Sequence, residues 1–301
     1  MIRRTCYFSV ISLFLLTSFV SAQSPDSFTQ LTTDSGLKLT NCDWSPDGNW
    51  IAFMSQGYIK IISPDGGDPR SLNDDVTVYS ANPHFTADSK AVTYTRWEEE
   101  AVIERLTIDD PPKFSIIHNN VLDGFTSNDG KYLTFTVRDY RDSNNRYDMK
   151  IINLESKTVT NILDMRDYGR GRFSYDDSYI ITGHFNDSGE LRLFKVPIAD
   201  GGPAGEPVQL TSHEGNHMYP SRMTKDGWIV YNDREIDYEK NLKHLVMYAY
   251  NVNTNESKRV FPDISEPHGY GCLSPDSKKV AFFMGTNLTS DMDLYVADFP
   301  F

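Results

Sequence analysis

One short unit recurs six times along this chain of 301 residues. Each copy has a tight turn with an aspartate at its centre, followed by an apolar run such as IAF, VTY, LTF or VAF. Residues such as Asp, Gly, Pro and Ser favour these turns because Asp accepts hydrogen bonds from its own backbone and Gly adopts positive φ. The apolar runs are rich in β-forming residues. The central aspartates are Asp47, Asp88, Asp129, Asp176, Asp226 and Asp276.

The rest of each repeat follows a constant order. A second β-rich run such as YIKII or MKIIN comes next, then a turn such as SPDGG at Ser63, then a short last strand. Four short strands within about 40 to 50 residues are typical of one blade of a β-propeller. Six repeats therefore predict an all-β, six-bladed propeller. The alternative is an open β-solenoid, which the sequence disfavours because no segment has the character of a cap.

The two ends of the repeat region predict how the ring closes. The sixth repeat stops at LYVADFPF, one strand short of a blade, whereas FTQLT at positions 28–32 has the pattern of a last strand. We predict that this N-terminal strand completes the last blade, which leaves fewer exposed sheet edges.

The first 22 residues have the features of a secretory signal peptide. A basic start, MIRR, precedes the apolar run YFSVISLFLL and then small residues. We expect cleavage after Ala22, which leaves residues 23–301 as the propeller and places the protein in the periplasm or outside the cell. The alternative is a membrane anchor, but the apolar run is short for a span, so a membrane-spanning protein is not predicted.

The charge of the chain argues against nucleic acid as a partner. The whole sequence carries a net charge of −13, from 29 basic and 42 acidic residues. Loss of Arg3 and Arg4 with the signal peptide makes the mature protein still more acidic, and no run rich in Lys or Arg interrupts it. A protein that binds nucleic acid usually presents such a basic patch.

Cys42 and Cys272 are the cysteines left after the predicted cleavage. They enter the innermost strands of the first and last repeats, which ring closure makes neighbours. Their distances from the Asp turn differ by one residue, which would place them on opposite strand faces. Because disulfide geometry is demanding, the pairing stays open.

The repeats resemble those of a known family. The run SPDG–x–x–IAF, then a strand, then DGG and an outer strand ending in Leu-Thr, is similar to the propeller repeats of TolB-type proteins. The resemblance covers about residues 26 to 301. TolB-type proteins are periplasmic components of the Tol–Pal envelope system, so the resemblance implies a propeller and a place in the cell envelope. It implies little about function, because propellers host many activities.

The candidate ligand site lies where the chain enters each innermost strand, just before the Asp turn. In a propeller these strands line the central channel, and the six segments contain three Arg, three His and three Tyr. Arginine suits carboxylate or phosphate, and histidine can bind or exchange protons. The alternative is that these residues bind only water or pair with neighbouring acids. The predicted ligand-binding residues are His84, Arg170, Arg172, His217, Arg222, His268 and Tyr270, with Tyr168 and Tyr219 in the same segments.

Motifs for catalysis are scarce. The sequence contains no G-x-S-x-G, no P-loop and no G-x-G-x-x-G, and we predict no catalytic residue, cofactor or metal. The stretch HEGNH, His213 to His217, matches the H-E-x-x-H signature of zinc proteases. That motif requires a helix, and Gly215 and Asn216 are poor helix formers, so we treat the match as accidental.

Three functions remain compatible with these patterns. The leading hypothesis is a monomeric, non-enzymatic platform that binds a protein or a glycan of the cell envelope. The alternative is a polysaccharide lyase that acts on acidic, uronate-containing glycans. In such an enzyme Arg would neutralise the carboxylate while His or Tyr moves the proton. A purely structural propeller is the third.

Overall fold

The structure is a computed structural model that describes residues 27–33, 41–73, 79–97, 99–138, 147–165, 170–237, 242–286 and 292–301. The predicted signal peptide and Tyr168 lie outside these ranges. Within them, no helix has the length and apolar character needed to cross a lipid bilayer.

The strands form six small antiparallel sheets arranged as a six-bladed propeller, which confirms the predicted fold. The first strand, β1 (Thr29–Gln30), belongs to the last blade. Blade one contains β2 (Asp43–Trp44), β3 (Ile51–Ser55), β4 (Tyr58–Ile62) and β5 (Arg70–Ser71). Blade two contains β6 (Tyr79–Phe85), β7 (Ala91–Trp97), β8 (Ala101–Thr107) and β9 (Phe114–Asn119). Blade three contains β10 (Leu122–Thr126), β11 (Tyr132–Arg138), β12 (Tyr147–Asn153) and β13 (Val159–Met165).

The second half of the chain repeats this order with local variation. Blade four contains β14 (Arg172–Phe173), β15 (Tyr179–Phe185), β16 (Leu191–Ala199), β17 (Gly202–Pro203) and β18 (Val208–Gln209). Blade five contains β19 (Trp228–Asp237), β20 (Leu242–Asn251) and β21 (Glu256–Arg259). Blade six contains β22 (His268–Leu273), β23 (Lys279–Gly285) and β24 (Met292–Asp298). The innermost segment of blade five is reduced to a bridge between Met218 and Asn232, and the Val230 N–H donates to the Ser221 hydroxyl instead of a backbone carbonyl.

The ring closes as predicted, with the N-terminal strand completing blade six. Strand β1 pairs antiparallel with β24. Beyond it, Leu31 is buried in the core shared by the first and last blades. The Thr32 hydroxyl donates to Asp293 Oδ1 at 3.1 Å and accepts from the Leu294 N–H at 2.9 Å. Backbone pairing, apolar burial and side-chain hydrogen bonds therefore all hold the two ends together.

The Asp turns owe their shape to a hydroxyl residue two positions before the aspartate. In blade six the Ser274 hydroxyl donates to Asp276 Oδ1 at 2.7 Å and accepts from the Lys279 N–H at 2.9 Å. The same carboxylate oxygen accepts from the Lys278 N–H at 3.2 Å. These bonds, that of Ser274 first, lower the pKa of Asp276. The equivalent hydroxyl-to-carboxylate bonds come from Ser45, Thr86, Ser127 and Ser174.

The apolar core lies between adjacent blades. One cluster joins blades one and two, and another joins blades three and four. The blades approach closely near the channel. At Gly124, five residues before the Asp turn of blade three, an added Cβ would lie 2.7 Å from Ile103 Cδ1 of blade two. This position thus faces the preceding blade.

Candidate functional site

The innermost strands place a contiguous series of side chains around the channel, here called the belt: Asn82, Asp123, Arg170, Tyr219 and Tyr270. Asn82 Nδ2 donates to Asp123 Oδ1 at 2.5 Å, and Asp123 Oδ2 lies 2.8 Å from Arg170 Nε. The Arg170 guanidinium lies 4.2 Å from the centre of the Tyr219 ring. Tyr219 in turn stacks on Tyr270, with ring centroids 5.8 Å apart. The belt therefore connects blades two to six.

Four members of the belt have a left-handed backbone. The φ angles of Asn82, Asp123, Tyr219 and Tyr270 are 56°, 50°, 57° and 54°. In β6, β10 and β22 these residues fall at register shifts, which are β-bulges. A bulge re-aims a side chain, and here it turns belt residues into the channel. Asn and Asp tolerate this conformation, whereas a tyrosine adopts it only when its surroundings hold it there.

A second set of side chains, the arginine layer, lies nearer the Asp turns than the belt does, by two residues in blades two, three, four and six and by three in blade five. It contains Asp43, His84, Phe125, Arg172, Arg222 and Cys272, each four residues before its turn aspartate. Arg172 Nη1 lies 2.9 Å from His84 Nδ1, and its Nε donates to the Pro220 carbonyl at 3.0 Å. The guanidinium of Arg172 lies 3.7 Å from the centre of the Phe125 ring, on which the His84 ring also packs at 3.9 Å. Arg172 thus fills the channel from one wall to the other.

Burial controls the charge of this layer. Burial lowers the pKa of Arg172 to about 9. Asp43 and Asp123 oppose this shift, whereas the nearby Arg222 and Arg170 add to it. Burial, and then the three arginines, lower the pKa of His84 well below its usual value. His84 is therefore neutral at pH 7, and its Nδ1 accepts from Arg172. Three guanidinium groups face two buried carboxylates, so the channel carries an excess of positive charge.

Arg222 extends the positive charge to one end of the channel, the end that the Asp turns surround. Its Nη2 donates to the Phe85 carbonyl at 2.7 Å and lies 3.6 Å from Asp43 Oδ2. Its Nη1 donates to Asn128 Oδ1 at 3.2 Å. About a fifth of the Arg222 side chain is exposed, whereas Arg172 is buried.

A cavity of about 380 Å³ lies directly above Arg222, and we call it the turn-side cavity. Its rim is six-fold: the residue just before the turn aspartate lines it in every blade. These residues are Pro46, Ala87, Asn128, Tyr175, Lys225 and Pro275. Two cations, Arg222 and Lys225, face this space, and the lining residues that the structure describes include no acid. The lining of this cavity is therefore cationic, while a turn aspartate follows each rim residue in the sequence.

The predicted site residues divide into two groups. Five of them converge on the channel, where Arg222 reaches the turn-side cavity and the others lie deeper: His84, Arg170, Arg172 and Tyr270. His217 and His268 lie instead between blades. His268 Nδ1 lies 2.8 Å from the Glu266 carbonyl and its ring packs on Phe261, and burial lowers its pKa to about 4. A ligand-binding role for all seven stays a prediction.

Several residues that shape the site were not predicted from the sequence. Asn128, Tyr175 and Lys225 line the cavity, and Asp43 and Asp123 balance the arginines. The rim residues could have been found, because each one immediately precedes the aspartate of a recurring turn. The paired acids had no such signal, because contacts across the channel join residues far apart in the sequence.

The two cysteines meet between the last and first blades. Their Sγ atoms are 2.9 Å apart, both residues are buried, and both are free. Burial, and then the Cys42 contact, raise the pKa of Cys272. The position of the two cysteines on opposite strand faces does not keep them apart. Adjacent blades present opposite faces to each other, so Cys272 of blade six and Cys42 of blade one both point into the space between these two blades.

The HEGNH segment is not helical; it forms bends and coil between blades four and five. Its two histidines nevertheless lie together, with ring centroids 3.9 Å apart, and both approach Asp233 of β19. Within the described residues, His213, His217 and Asp233 form a group whose ligand atoms could hold a metal ion. Burial, and then His213 and Arg192, lower the pKa of His217 to about 3.

Comparison with known proteins shows similarity in structure. No protein-family model and no curated protein matches the sequence. TolB from Acinetobacter baumannii is 15% identical with a TM-score of 0.62, covering 89% of this chain and 67% of that chain. A gluconolactonase from Xanthomonas campestris is 11% identical with a TM-score of 0.62, covering 90% and 89%. An oligogalacturonate lyase from Vibrio parahaemolyticus is 11% identical with a TM-score of 0.55, covering 91% and 92%.

These similarities confirm the predicted resemblance to TolB-type propellers at the level of the fold. At such low identities they show architecture alone, because one propeller fold serves proteins as different as TolB, a lactonase and a lyase.

Proposed function

We propose that this chain is an exported, non-enzymatic binding platform of the cell envelope, and that its turn-side cavity receives an acidic segment of a partner protein. The observation that carries the proposal is the cavity itself, a cationic pocket of about 380 Å³ on an acidic protein. Pockets of roughly 300–1,000 Å³ commonly hold ligands. The recessed site on a rigid ring of blades is pre-formed, so little ordering would oppose binding.

Arg222 is the residue best placed to bind a carboxylate. Two of its N–H groups donate to Asn128 and Phe85, so its guanidinium is held in one orientation. An arginine has five N–H donors, and its planar fork matches a carboxylate in a bidentate arrangement. Behind it, Arg172 and Arg170 add positive charge, while Lys225 contributes a second cation at the rim.

The apolar part of the cavity favours a peptide as the source of that carboxylate. Trp44, Pro46, Leu273 and Pro275 line one part of the wall. Tyr175 is 49% exposed at the rim, where its ring offers a flat contact surface. An acidic residue flanked by apolar side chains would satisfy both the cationic floor and these walls. An acidic glycan is the second ligand class, since Tyr175 could also stack on a sugar ring.

A lyase is the alternative function, and its support is the structural similarity to an oligogalacturonate lyase. Elimination from a uronate requires a base beside the substrate. His84 is fully buried and its Nδ1 is engaged by Arg172. Burial raises the pKa of Tyr270 to about 12, which disfavours the phenolate that could act as a base. We therefore propose binding rather than catalysis.

Capture from an envelope extract of the host would test the proposal. The immobilised wild type is compared with Arg222→Met, and with Arg70→Met on the outer strand β5 as a matched control. We expect the wild type and Arg70→Met to recover the same envelope protein, and Arg222→Met to recover at least about tenfold less, as loss of a charge-assisted bidentate contact predicts. Recovery of no specific protein, or equal recovery by all three, would contradict the proposal.

A parallel assay separates binding from catalysis. Wild-type protein is incubated with oligogalacturonates and other acidic glycans, and unsaturated products are followed by absorbance at about 235 nm, where an elimination product absorbs. A flat trace is expected. A rising trace that Arg222→Met abolishes would instead establish the lyase.

The proposal also includes export. Cleavage after Ala22 would leave Gln23 as the first residue of the mature chain. N-terminal sequencing of protein recovered from the periplasm or the medium is expected to begin at Gln23, and recovery of the uncleaved chain in the cytoplasm would contradict it.

A further inference from the structure

The connection between blades four and five holds a second polar cluster, which lies away from the Asp turns. Strand β19 leaves its turn at Trp228, and Asp233 lies five residues further along it. Asp233 Oδ2 is 3.8 Å from His213 Nε2 and 4.0 Å from His217 Nε2. The three ligand atoms all lie within 4.8 Å of one another. None of the three residues lines the turn-side cavity.

His217 has the environment of a metal ligand. Its side chain is fully buried, and its Nδ1 lies 2.6 Å from the Thr211 hydroxyl. Its Nε2 is buried, has no hydrogen-bond partner among the residues that the structure describes, and lies 4.0 Å from Asp233 Oδ2. Buried polar atoms are nearly always satisfied, so an exception calls for an explanation. Metal-binding histidines characteristically use their other ring nitrogen in a hydrogen bond, as His217 does with Thr211.

The loop is shaped around the Asp233 carboxylate. The Asn216 N–H donates to Asp233 Oδ1 at 2.6 Å, which fixes the carboxylate and directs Oδ2 towards the histidines. Gly215 has a φ of +141°, and an added Cβ would lie 2.2 Å from Asp233 Oδ2. A glycine is therefore required for the loop to approach so closely. The two histidines, four residues apart in the sequence, are brought together by this loop and not by a helix.

His213 gives the cluster access to solvent. Its side chain is 29% exposed, and its ring stacks on Tyr248 with centroids 4.7 Å apart. Its Nε2 lies 3.4 Å from the Tyr231 hydroxyl. An ion could reach the cluster from this side, and the Tyr231 hydroxyl is placed to contact a fourth ligand such as water.

We propose that His213, His217 and Asp233 form a binding site for a divalent transition-metal ion, of which zinc is the best match. Two imidazoles and one carboxylate are a common zinc ligand set, and they leave a fourth position for water. Tetrahedral zinc with bonds of about 2.0–2.2 Å places its ligand atoms roughly 3.4 Å apart, so the side chains need to move inward by about 1 Å. The ion would attach the connection between blades four and five to strand β19.

Titration of tag-free, EDTA-treated protein with Zn²⁺ and Co²⁺ tests the site. We expect one ion per chain by isothermal titration, and a Co²⁺ visible spectrum of the intense, low-coordinate type. His213→Ala and Asp233→Asn should each weaken Zn²⁺ binding by about 100-fold or more, given that losing a residue that only hydrogen-bonds a metal ligand already costs about 10–100-fold. His118→Ala, on strand β9, is the matched control and should bind as the wild type does.

Folding defects are separable from loss of the site. His213 is partly exposed, so His213→Ala is expected to keep the wild-type circular dichroism spectrum. Gly215→Ala is the second variant, because its methyl group displaces the Asp233 carboxylate while all three ligands remain. The proposal is overturned if wild-type protein takes up neither ion at micromolar concentration. It is also overturned if His213→Ala and Gly215→Ala, both folded, bind Zn²⁺ as tightly as the wild type.

Discussion

Three buried histidines should make the propeller strongly sensitive to mild acid. His84, His217 and His268 are fully buried. Burial is the main cause that lowers the pKa of each: well below the usual value for His84, to about 3 for His217 and to about 4 for His268. In the unfolded chain each titrates near pH 6.5. Below that pH the unfolded chain binds protons that the folded protein does not, so the free energy of unfolding falls as the pH falls.

The size of the effect follows from linkage. Between about pH 7.5 and pH 5.5, a histidine that stays neutral in the folded state costs about 1.4 kcal/mol of stability. Three of them cost about 4 kcal/mol, which is a large share of the roughly 5–15 kcal/mol typical of a native protein. The loss continues until the pH approaches the folded-state pKa values.

Urea denaturation at the two pH values, in EDTA to exclude metal binding at His217, measures this loss. His268→Asn isolates one histidine, because an asparagine can keep the hydrogen bond to the Glu266 carbonyl. The variant should lose about 1.4 kcal/mol less than the wild type on acidification. His118→Asn, at a residue far less buried, should change the pH dependence less. An identical acid loss in His268→Asn and wild type would refute the reasoning, because His268 would then titrate alike in both states.

Three further outcomes are expected. Leu31→Ala should lower the urea-derived free energy of unfolding by about 2–5 kcal/mol, because Leu31 is buried where the ring closes; a loss within error would show that closure contributes little. Asp276→Ala should cost about 0.5–1.5 kcal/mol and more than Asp226→Ala, because Asp276 accepts from Ser274 and Lys278 in its turn; equal losses would contradict that role. A mild oxidant should join Cys42 to Cys272 and lower the mass by about 2 Da, since their Sγ atoms are 2.9 Å apart; two thiols still titratable after denaturation would contradict it.

Most of the fold could be predicted from the sequence because its signal is local and repeated. Each Asp turn uses residues within five positions of one another, as Ser274, Asp276 and Lys279 show. Local hydrogen bonds of this kind leave a pattern at fixed spacing. Closure by β1 was predictable because one strand was missing at one end of the repeats and present at the other. The bulges in β6, β10 and β22 were not predicted, since no residue is common to the same position of all three sequences SANPH, VLDGF and HGYGC.

The site was harder to predict because its contacts cross the channel. Arg172 and His84 are 88 residues apart in sequence and in contact in space. The sequence indicated which segments line the channel, but not that Arg172 would be buried and Arg222 would reach the cavity. His217 shows the same limit. Its motif was correctly separated from a helical zinc site, yet its contact with Asp233 depends on how β19 packs beside the loop.

The central claim is that a partner protein enters the turn-side cavity and contacts Arg222. In-cell photo-crosslinking tests it directly, with a photoreactive amino acid at Tyr175, which is 49% exposed on the rim, or at Phe114, which is 72% exposed on the outer strand β9. We predict a discrete protein adduct from position 175 that disappears when Arg222→Met is added, and none of the same size from position 114. No adduct at position 175, or one that Arg222→Met leaves unchanged, would contradict the account.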